Sequence, residues 1–248
     1  MKKYMSGEKI LSVLDAKLGR NDYAGAETHL LSCLEAAEAT GDTRARFLVQ
    51  NELMGLYRKL GREGEALRFV KMTLELIDGE GLDGQLGAAT AYLNCGTVYK
   101  AFSRPEESLT LFLRAREIYE RELDGGDSRL AGLYNNMALT LVDLRRFDEA
   151  RELYGKALGI AGESLDAAIT YLNLASAAEA EHGLADADEV IQKYLGLAKK
   201  ILENCETRDG YYAFVCEKCS SVFLYYGHFA YSATLDARAK EIYTHERA

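Results

Sequence analysis

A short segment that ends in a small residue recurs along this 248-residue chain. The segments are NDYAGA, which ends at Ala26, GREGEA at Ala66, SRPEES at Ser108, RRFDEA at Ala150, GLADA at Ala187 and GHFAYS at Ser232. Their small residues are separated by 40, 42, 42, 37 and 45 positions. Such self-similarity predicts a repeat architecture, and we expect one continuous domain over residues 1–248. The expected repeats span approximately 7–42, 43–84, 85–127, 128–164, 165–207 and 208–248.

Each unit carries two stretches of helical periodicity with a short break between them. In the fourth unit the first stretch places its apolar residues at Tyr134, Met137, Ala138 and Leu141. These offsets put them on one face of an α-helix. The same offsets occur at Tyr92, Cys95, Gly96 and Tyr99, and at Tyr171, Leu174, Ala175 and Ala178. After the break come Ala150, Tyr154 and Ala157, which match Ser108, Phe112 and Ala115.

The composition and the small residues both favour helices that pack closely in pairs. The chain has one proline and no tryptophan, and 48% of its residues are hydrophobic. Where two helices cross, a large side chain would push their axes apart. Gly or Ala on the first helix and Ala or Ser on the second allow a close contact, and the aromatic residues fill the remaining space.

The pattern resembles the tetratricopeptide repeat. In the first helix the matching elements are, in order, a large residue, a leucine, a glycine or alanine, and a tyrosine. In the second helix they are an alanine, an aromatic residue and another alanine. The third and fourth units carry it most clearly, in YLNCGTVY and in YNNMALTL followed by FDEARELYGKAL. The resemblance implies an all-α, right-handed solenoid superhelix of about six helix-turn-helix repeats. The period is longer than that family's usual 34 residues, and in this respect the units resemble the kinesin light chain subclass.

Asparagines lie between the packing positions of the first helices. In this family the first helices line a concave groove, so the resemblance implies that Asn51, Asn94, Asn135, Asn136 and Asn173 line it. Asparagine is a middling helix former, and its recurrence in repeats 3 to 5 indicates a use. An amide can donate to a peptide carbonyl and accept from a peptide N–H, so a row of amides could hold an extended peptide. Alternatively, these amides bind neighbouring helix backbones or water.

Positive charge concentrates on the first helices of repeats 2 to 4, although the chain has a net charge of −9. The charged residues there are Arg44, Arg46, Arg58, Lys59, Lys100 and Arg129, against Glu52. Arg58 and Lys100 occupy equivalent positions, where repeat 5 has Glu179. A basic groove lined by amides would suit an acidic segment or a terminal carboxylate. Alternatively, these residues form a solvated helix face.

Several classes of function are disfavoured by the sequence. The acidic balance argues against a general nucleic-acid binder, and no apolar run is long enough to span a membrane. Without a secretory signal, we expect a cytoplasmic protein with reduced cysteines. Cys216 and Cys219 occupy packing positions, so we interpret them as buried thiols rather than metal ligands. No group of residues supplies a nucleophile, a base and an orienting group, and no cofactor is expected.

The sequence therefore predicts a non-enzymatic scaffold that binds a protein or peptide segment in a concave groove. Two alternatives stay open. One is a peptide-gated regulator that resembles the repeat domains of bacterial pheromone receptors. The other is an adaptor that self-assembles through its last helix into a homo-oligomer.

Overall fold

The computed structural model describes residues 6–245, which form twelve α-helices and, within that range, no β-strand. The chain divides into two compact units, unit 1 (Met1–Glu122) and unit 2 (Leu123–Ala248). The helices of unit 1 are α1 (Gly7–Leu18), α2 (Tyr23–Thr40), α3 (Thr43–Lys59), α4 (Glu63–Gly79), α5 (Leu86–Ala101) and α6 (Pro105–Glu122). Those of unit 2 are α7 (Ser128–Asp143), α8 (Phe147–Ala161), α9 (Leu165–His182), α10 (Leu184–Asn204), α11 (Gly210–Tyr225) and α12 (Phe229–His245).

Helices pack in pairs, and within each unit first helices of neighbouring pairs also meet, as for α3 with α5 and for α9 with α7 and α11. In unit 1 the helix α3 contacts both α4 and α5, and α5 packs against α6. In unit 2 the helix α9 contacts α7, α10 and α11. This arrangement confirms the predicted all-α solenoid of helix-turn-helix repeats. The assignment of residues 1–248 to a single domain stays a prediction.

The turn inside each helix pair contains one residue in the left-handed region. Gly61, Gly183 and Gly227 occupy this position in three of the turns. Asn21, Ser103 and Arg145 occupy it in the others, with φ between 56° and 60°. Non-glycine residues adopt this conformation at a steric cost, so the packing of the paired helices must hold it in place.

The small residues that define the repeat lie in the core, as predicted. They are Ala26, Ala66, Ser108, Ala150, Ala187 and Ser232, and all six are buried. A close contact of the same kind joins Gly96 of α5 and the ring of Phe112 of α6. A β-carbon at Gly96 would lie 2.5 Å from Phe112 Cε1, which is closer than two carbon atoms can approach. Glycine is therefore required where these two helices cross.

Candidate functional site

A cavity of about 500 Å³ lies between α3 and α5 in unit 1. Phe47 and Leu48 of α3 form an apolar wall together with Leu82, which precedes α5. The other lining residues are Thr43, Arg44, Asn51, Glu52, Gln85, Gly87, Ala88, Thr90 and Asn94. The size and the mixture of apolar and polar groups are typical of a site for a small ligand or a few peptide side chains.

Two of the predicted asparagines meet at this cavity. Asn94 Nδ2 donates to Asn51 Oδ1 at 3.0 Å, and Asn51 Nδ2 donates to the carbonyl oxygen of Phe47 at 2.8 Å. Asn94 therefore uses one of its two N–H groups and keeps its second N–H and its Oδ1. The pair joins two repeats, and Asn94 still has groups that a ligand could use.

Among residues 6–245, one residue of each charge lines the cavity. Arg44 is exposed, and its guanidinium has no ion-pair partner among residues 6–245. Glu52 is partly buried; burial, together with the nearby charge of Asp15, raises the pKa of its carboxyl group. A higher pKa brings protonation of Glu52 closer to neutral pH, so Arg44 contributes the more persistent charge.

The predicted residues Arg58 and Lys100 occupy the last turns of α3 and α5. Neither lines the cavity. Arg58 is exposed, whereas Lys100 is partly buried and interacts with other residues of the chain. Their assignment to a ligand site stays a prediction, and the structure does not place them with Asn51 and Asn94 around the cavity.

The other three predicted asparagines belong to unit 2. Asn173 Nδ2 of α9 donates to Asn135 Oδ1 of α7 at 3.4 Å, and Asn135 Nδ2 donates to Thr170 Oγ1 at 2.8 Å. Asn136 Nδ2 donates to the carbonyl oxygen of Gly132 on its own helix at 2.8 Å. Both units thus contain the same contact. An asparagine on the first helix of one repeat donates to an asparagine on the first helix of the repeat before it.

The sequence interpretation missed most of the cavity wall. Phe47 and Leu48 precede Asn51 by four and three positions, so helical spacing could have placed them beside it. Leu82 and Gln85 come from the irregular segment before α5, where no periodicity predicts a position. Arg44 entered the charge count of the first helices but was not assigned to the site.

The cysteines at the packing positions of the repeat are core residues. Cys95, Cys216 and Cys219 are buried, as the repeat pattern predicts. Burial raises the pKa of the Cys95 and Cys219 thiols to about 12. Within residues 6–245, no three His, Cys, Asp or Glu side chains form a group able to hold a metal ion. None of the helices described combines the length and apolar character needed to cross a membrane.

Paired helices with a recurring turn and small residues at their crossings define a helical-repeat protein. Two tetratricopeptide repeat models match the chain, one at residues 46–121 and one at residues 130–168. Residues 46–121 and 130–168 therefore contain tetratricopeptide repeats, which resemble those of the kinesin light chain subclass. Among curated proteins no significant sequence match was found.

Solved structures share this fold at low sequence identity. BtubC (BKLC) from P. vanneervenii is 20% identical over 81% of this chain and 82% of its own, with a TM-score of 0.68. The apo form of the quorum sensor NprR from B. thuringiensis is 15% identical over 98% of this chain and 67% of its own, with a TM-score of 0.59. TPR-like repeats of a kinesin light chain from Podosopora anserina are 16% identical over 81% of this chain and 95% of their own, with a TM-score of 0.54. These similarities establish the fold alone.

Proposed function

We propose that this protein is a non-enzymatic interaction scaffold that binds an extended segment of a partner protein at the α3–α5 cavity. The observation that carries the proposal is the Asn51–Asn94 pair at a cavity with an apolar wall. This combination suits a peptide, whose backbone needs polar partners while its side chains need apolar ones.

Each part of the cavity matches one part of a bound peptide. The free Oδ1 and the second N–H of Asn94 can accept from a backbone N–H and donate to a backbone carbonyl. Phe47, Leu48 and Leu82 can cover an apolar side chain, and Arg44 can pair with an acidic side chain or a terminal carboxylate. The preferred ligand is therefore a short segment with an apolar residue beside a carboxylate.

The chemistry of the cavity favours binding over catalysis. Glu52 is its titratable acid, and the lining residues within the described range 6–245 include no histidine, cysteine or lysine. The remaining polar groups are amides and the hydroxyls of Thr43 and Thr90. A general acid without a nucleophile or a second base beside it supports the non-enzymatic part of the proposal.

The test is affinity selection from a library of random octapeptides that carry free C-terminal carboxylates. Enriched peptides are then measured against the wild type and against Arg44→Glu and Asn94→Ala. We expect Arg44→Glu to weaken binding by about tenfold or more, because it replaces an attractive charge with a repulsive one. The matched control is Arg68→Glu, at an exposed position of α4 that does not line the cavity. Equal binding to Arg44→Glu and Arg68→Glu would exclude the cavity as the peptide site.

The two alternative functions stay predictions. A peptide-gated regulator would compact on binding, so small-angle scattering with and without an enriched peptide distinguishes it from a rigid scaffold. A self-assembling adaptor would gain mass with concentration in analytical ultracentrifugation. The cytoplasmic location also stays a prediction.

A further inference from the structure

Several tyrosine hydroxyls in this protein donate to a carboxylate that also pairs with an arginine. In unit 1, Tyr57 donates to Glu27 Oε1 at 2.9 Å, and Arg62 donates to Glu27 Oε2 at 2.8 Å. The guanidinium carbon of Arg62 lies 4.7 Å from the centroid of the Tyr57 ring. The arginine therefore makes an ion pair and a cation–π contact at the same place.

A second site in unit 1 repeats this arrangement, and a site in unit 2 repeats its ion pair. Tyr92 donates to Asp83 at 2.9 Å, while Arg114 pairs with Asp83 at 3.1 Å and lies 4.3 Å from the Tyr92 ring centroid. In unit 2, Tyr231 donates to Glu203 at 2.8 Å, and Arg238 makes two hydrogen bonds to the same carboxylate. The cation over the Tyr231 ring is Lys199, 4.7 Å from the ring centroid. In all three sites, an arginine completes the tyrosine–carboxylate pair.

A fourth carboxylate, Glu179 of α9, is held by tyrosines but has no such arginine. Tyr225 donates to Glu179 Oε1 at 2.6 Å, and Tyr226 donates to Oε2 at 2.7 Å. The two rings lie 4.9 Å apart at an interplanar angle of 78°, and Tyr225 is 67% exposed. We call Glu179, Tyr225 and Tyr226 the Glu179 site. It presents a carboxylate between two nearly perpendicular rings.

The negative charge of this site is not compensated by the described residues. Phenol hydroxyls are neutral donors, so they stabilise the carboxylate without cancelling its charge. Arg145 approaches α9 but donates to the carbonyl oxygen of Ala180, and Arg151 pairs with Glu181. Among residues 6–245, no lysine or arginine forms an ion pair with Glu179 or lies over either ring. A cation from another molecule can therefore make the two contacts that Arg62 and Arg114 make in unit 1, namely an ion pair with the carboxylate and a cation–π contact with a tyrosine ring.

A second pair of this kind lies further along the same two helices. Tyr211 of α11 donates to Asp166 of α9, and Tyr211 is 47% exposed. Thirteen residues separate Asp166 from Glu179, or roughly 20 Å along a helix. An extended chain covers this distance in about six residues. Together α9 and α11 carry four carboxylates and one lysine, Lys218, which lies over the ring of Phe214.

We propose that the Glu179 site binds an arginine side chain of a basic segment from a partner protein. The assignment to arginine follows from the two sites of unit 1, where Arg62 and Arg114 each make both contacts. In unit 2 an arginine, Arg238, again makes the ion pair. The segment runs along α9 and α11, with another arginine about six residues away at Asp166 and Tyr211. This surface is separate from the α3–α5 cavity and binds a ligand of the opposite charge.

The test is an NMR titration at low ionic strength with an acetylated, amidated heptapeptide. It carries arginine at its first and seventh positions and glycine or serine between them. The control peptide has citrulline, which is neutral and nearly isosteric, in place of both arginines. The protein variants are Glu179→Gln, which keeps the hydrogen-bond acceptor, and Tyr225→Ala, which removes an exposed ring. Glu189→Gln changes the net charge equally at an exposed position of α10.

We expect the arginine peptide to shift the ring signals of Tyr225 and Tyr226 and the citrulline peptide to leave them unchanged. Binding becomes about fivefold weaker in Glu179→Gln and is unchanged in Glu189→Gln. Tyr225→Ala also weakens it, which tests the site even if Glu179→Gln fails to fold. Equal losses in Glu179→Gln and Glu189→Gln would overturn the proposal in favour of general attraction to an acidic protein. The assignment to a partner protein would also be overturned if the wild type dimerised through this surface and Glu179→Gln did not. The occupant of the Glu179 site would then be a second copy of the chain.

Discussion

Asn94 donates an amide hydrogen bond to Oδ1 of Asn51 across 3.0 Å and so joins α5 to α3. Asn173 and Asn135 make the equivalent contact between α9 and α7 at 3.4 Å. The asparagines that recur along the first helices thus have a structural use between repeats. Each donor amide spends one N–H on this contact, and its second N–H and its Oδ1 have no hydrogen-bond partner among residues 6–245.

The two amides of unit 1 should be energetically coupled. We expect Asn51→Ala and Asn94→Ala each to lower the free energy of unfolding by about 1 kcal/mol, the usual net value of one hydrogen bond. The double variant should lose less free energy of unfolding than the two single variants together. The first substitution already breaks the hydrogen bond, so the second has no bond left to remove. Urea unfolding of the four proteins gives the coupling energy. Additive losses would mean that the bond contributes nothing to stability.

A β-carbon at Gly96 should destabilise the protein. Its substitution by alanine places a methyl group against the Phe112 ring, and we expect a loss of about 1–3 kcal/mol from overpacking. Gly155 is the matched control, because it lies exposed in α8 with no atom near its missing β-carbon. Gly155→Ala should stabilise the protein by about 1 kcal/mol through helix propensity.

Thermal unfolding of the two glycine variants measures this difference. A Phe112→Leu substitution should restore part of the loss in Gly96→Ala, because it makes room at the crossing. Equal stability of Gly96→Ala and the wild type would show that α5 and α6 can separate without cost.

The helix pairs could be predicted from the sequence because helical spacing and small residues act over short distances. Ala150, Tyr154 and Ala157 are buried as their offsets require. The turn residues are different. Asn21, Ser103 and Arg145 adopt left-handed backbone that glycine would adopt more easily, so residue type alone does not reveal their role. Their conformation follows from the packing of the helices on either side.

The candidate sites could be predicted only in part. Asn51 and Asn94 could be identified as candidates from the sequence. Asparagine is an unfavourable choice inside a helix, so its recurrence at one position of the repeat indicates a use. The hydrogen bond between the two amides could not be predicted, because it depends on how far successive repeats are shifted against each other. Leu82 reaches the cavity from a segment without periodicity. The Glu179 site needs Tyr225 and Tyr226 of another repeat, 46 and 47 residues away.

The carboxylate of Asp127 should make the stability of the protein depend on acid pH. It caps α7 and accepts hydrogen bonds from the side chain and the backbone N–H of Arg129. These contacts lower the pKa of Asp127 from 3.8 to about 2, the side-chain bond being the larger cause. A pKa that is lower in the folded state stabilises the protein above the unfolded pKa, and this stabilisation is lost as the pH falls towards the folded value.

We therefore expect Asp127→Asn to unfold at a lower temperature than the wild type at neutral pH. Asparagine keeps the cap, so the charge is the main difference. The gap should close as the pH falls from about 4 to about 2. Asp124→Asn is the control, since Asp124 is exposed and its carboxylate has no hydrogen-bond or ion-pair partner among residues 6–245. A difference in unfolding temperature between Asp127→Asn and the wild type that is the same at every pH would contradict the role of the Asp127 charge.

Two buried tyrosines should respond oppositely to removal of their hydroxyl groups. The Tyr154 hydroxyl is buried in unit 2, and no described residue hydrogen bonds to it. Burial accordingly raises the pKa of Tyr154. Tyr119 is equally buried, but its hydroxyl shares a hydrogen bond of 2.8 Å with Thr90 Oγ1. An unpaired buried hydroxyl costs free energy, whereas a paired one contributes to stability.

Tyr154→Phe should therefore leave the stability unchanged or raise it by up to about 1 kcal/mol, while Tyr119→Phe should lower it by about 1 kcal/mol. Both substitutions remove one oxygen and leave the ring in place, so the packing of the core is matched between them. Urea unfolding with circular dichroism measures the two differences against the wild type. A loss of stability in Tyr154→Phe as large as that in Tyr119→Phe would mean that the Tyr154 hydroxyl has a partner in solution, and a buried water molecule would then have to supply it.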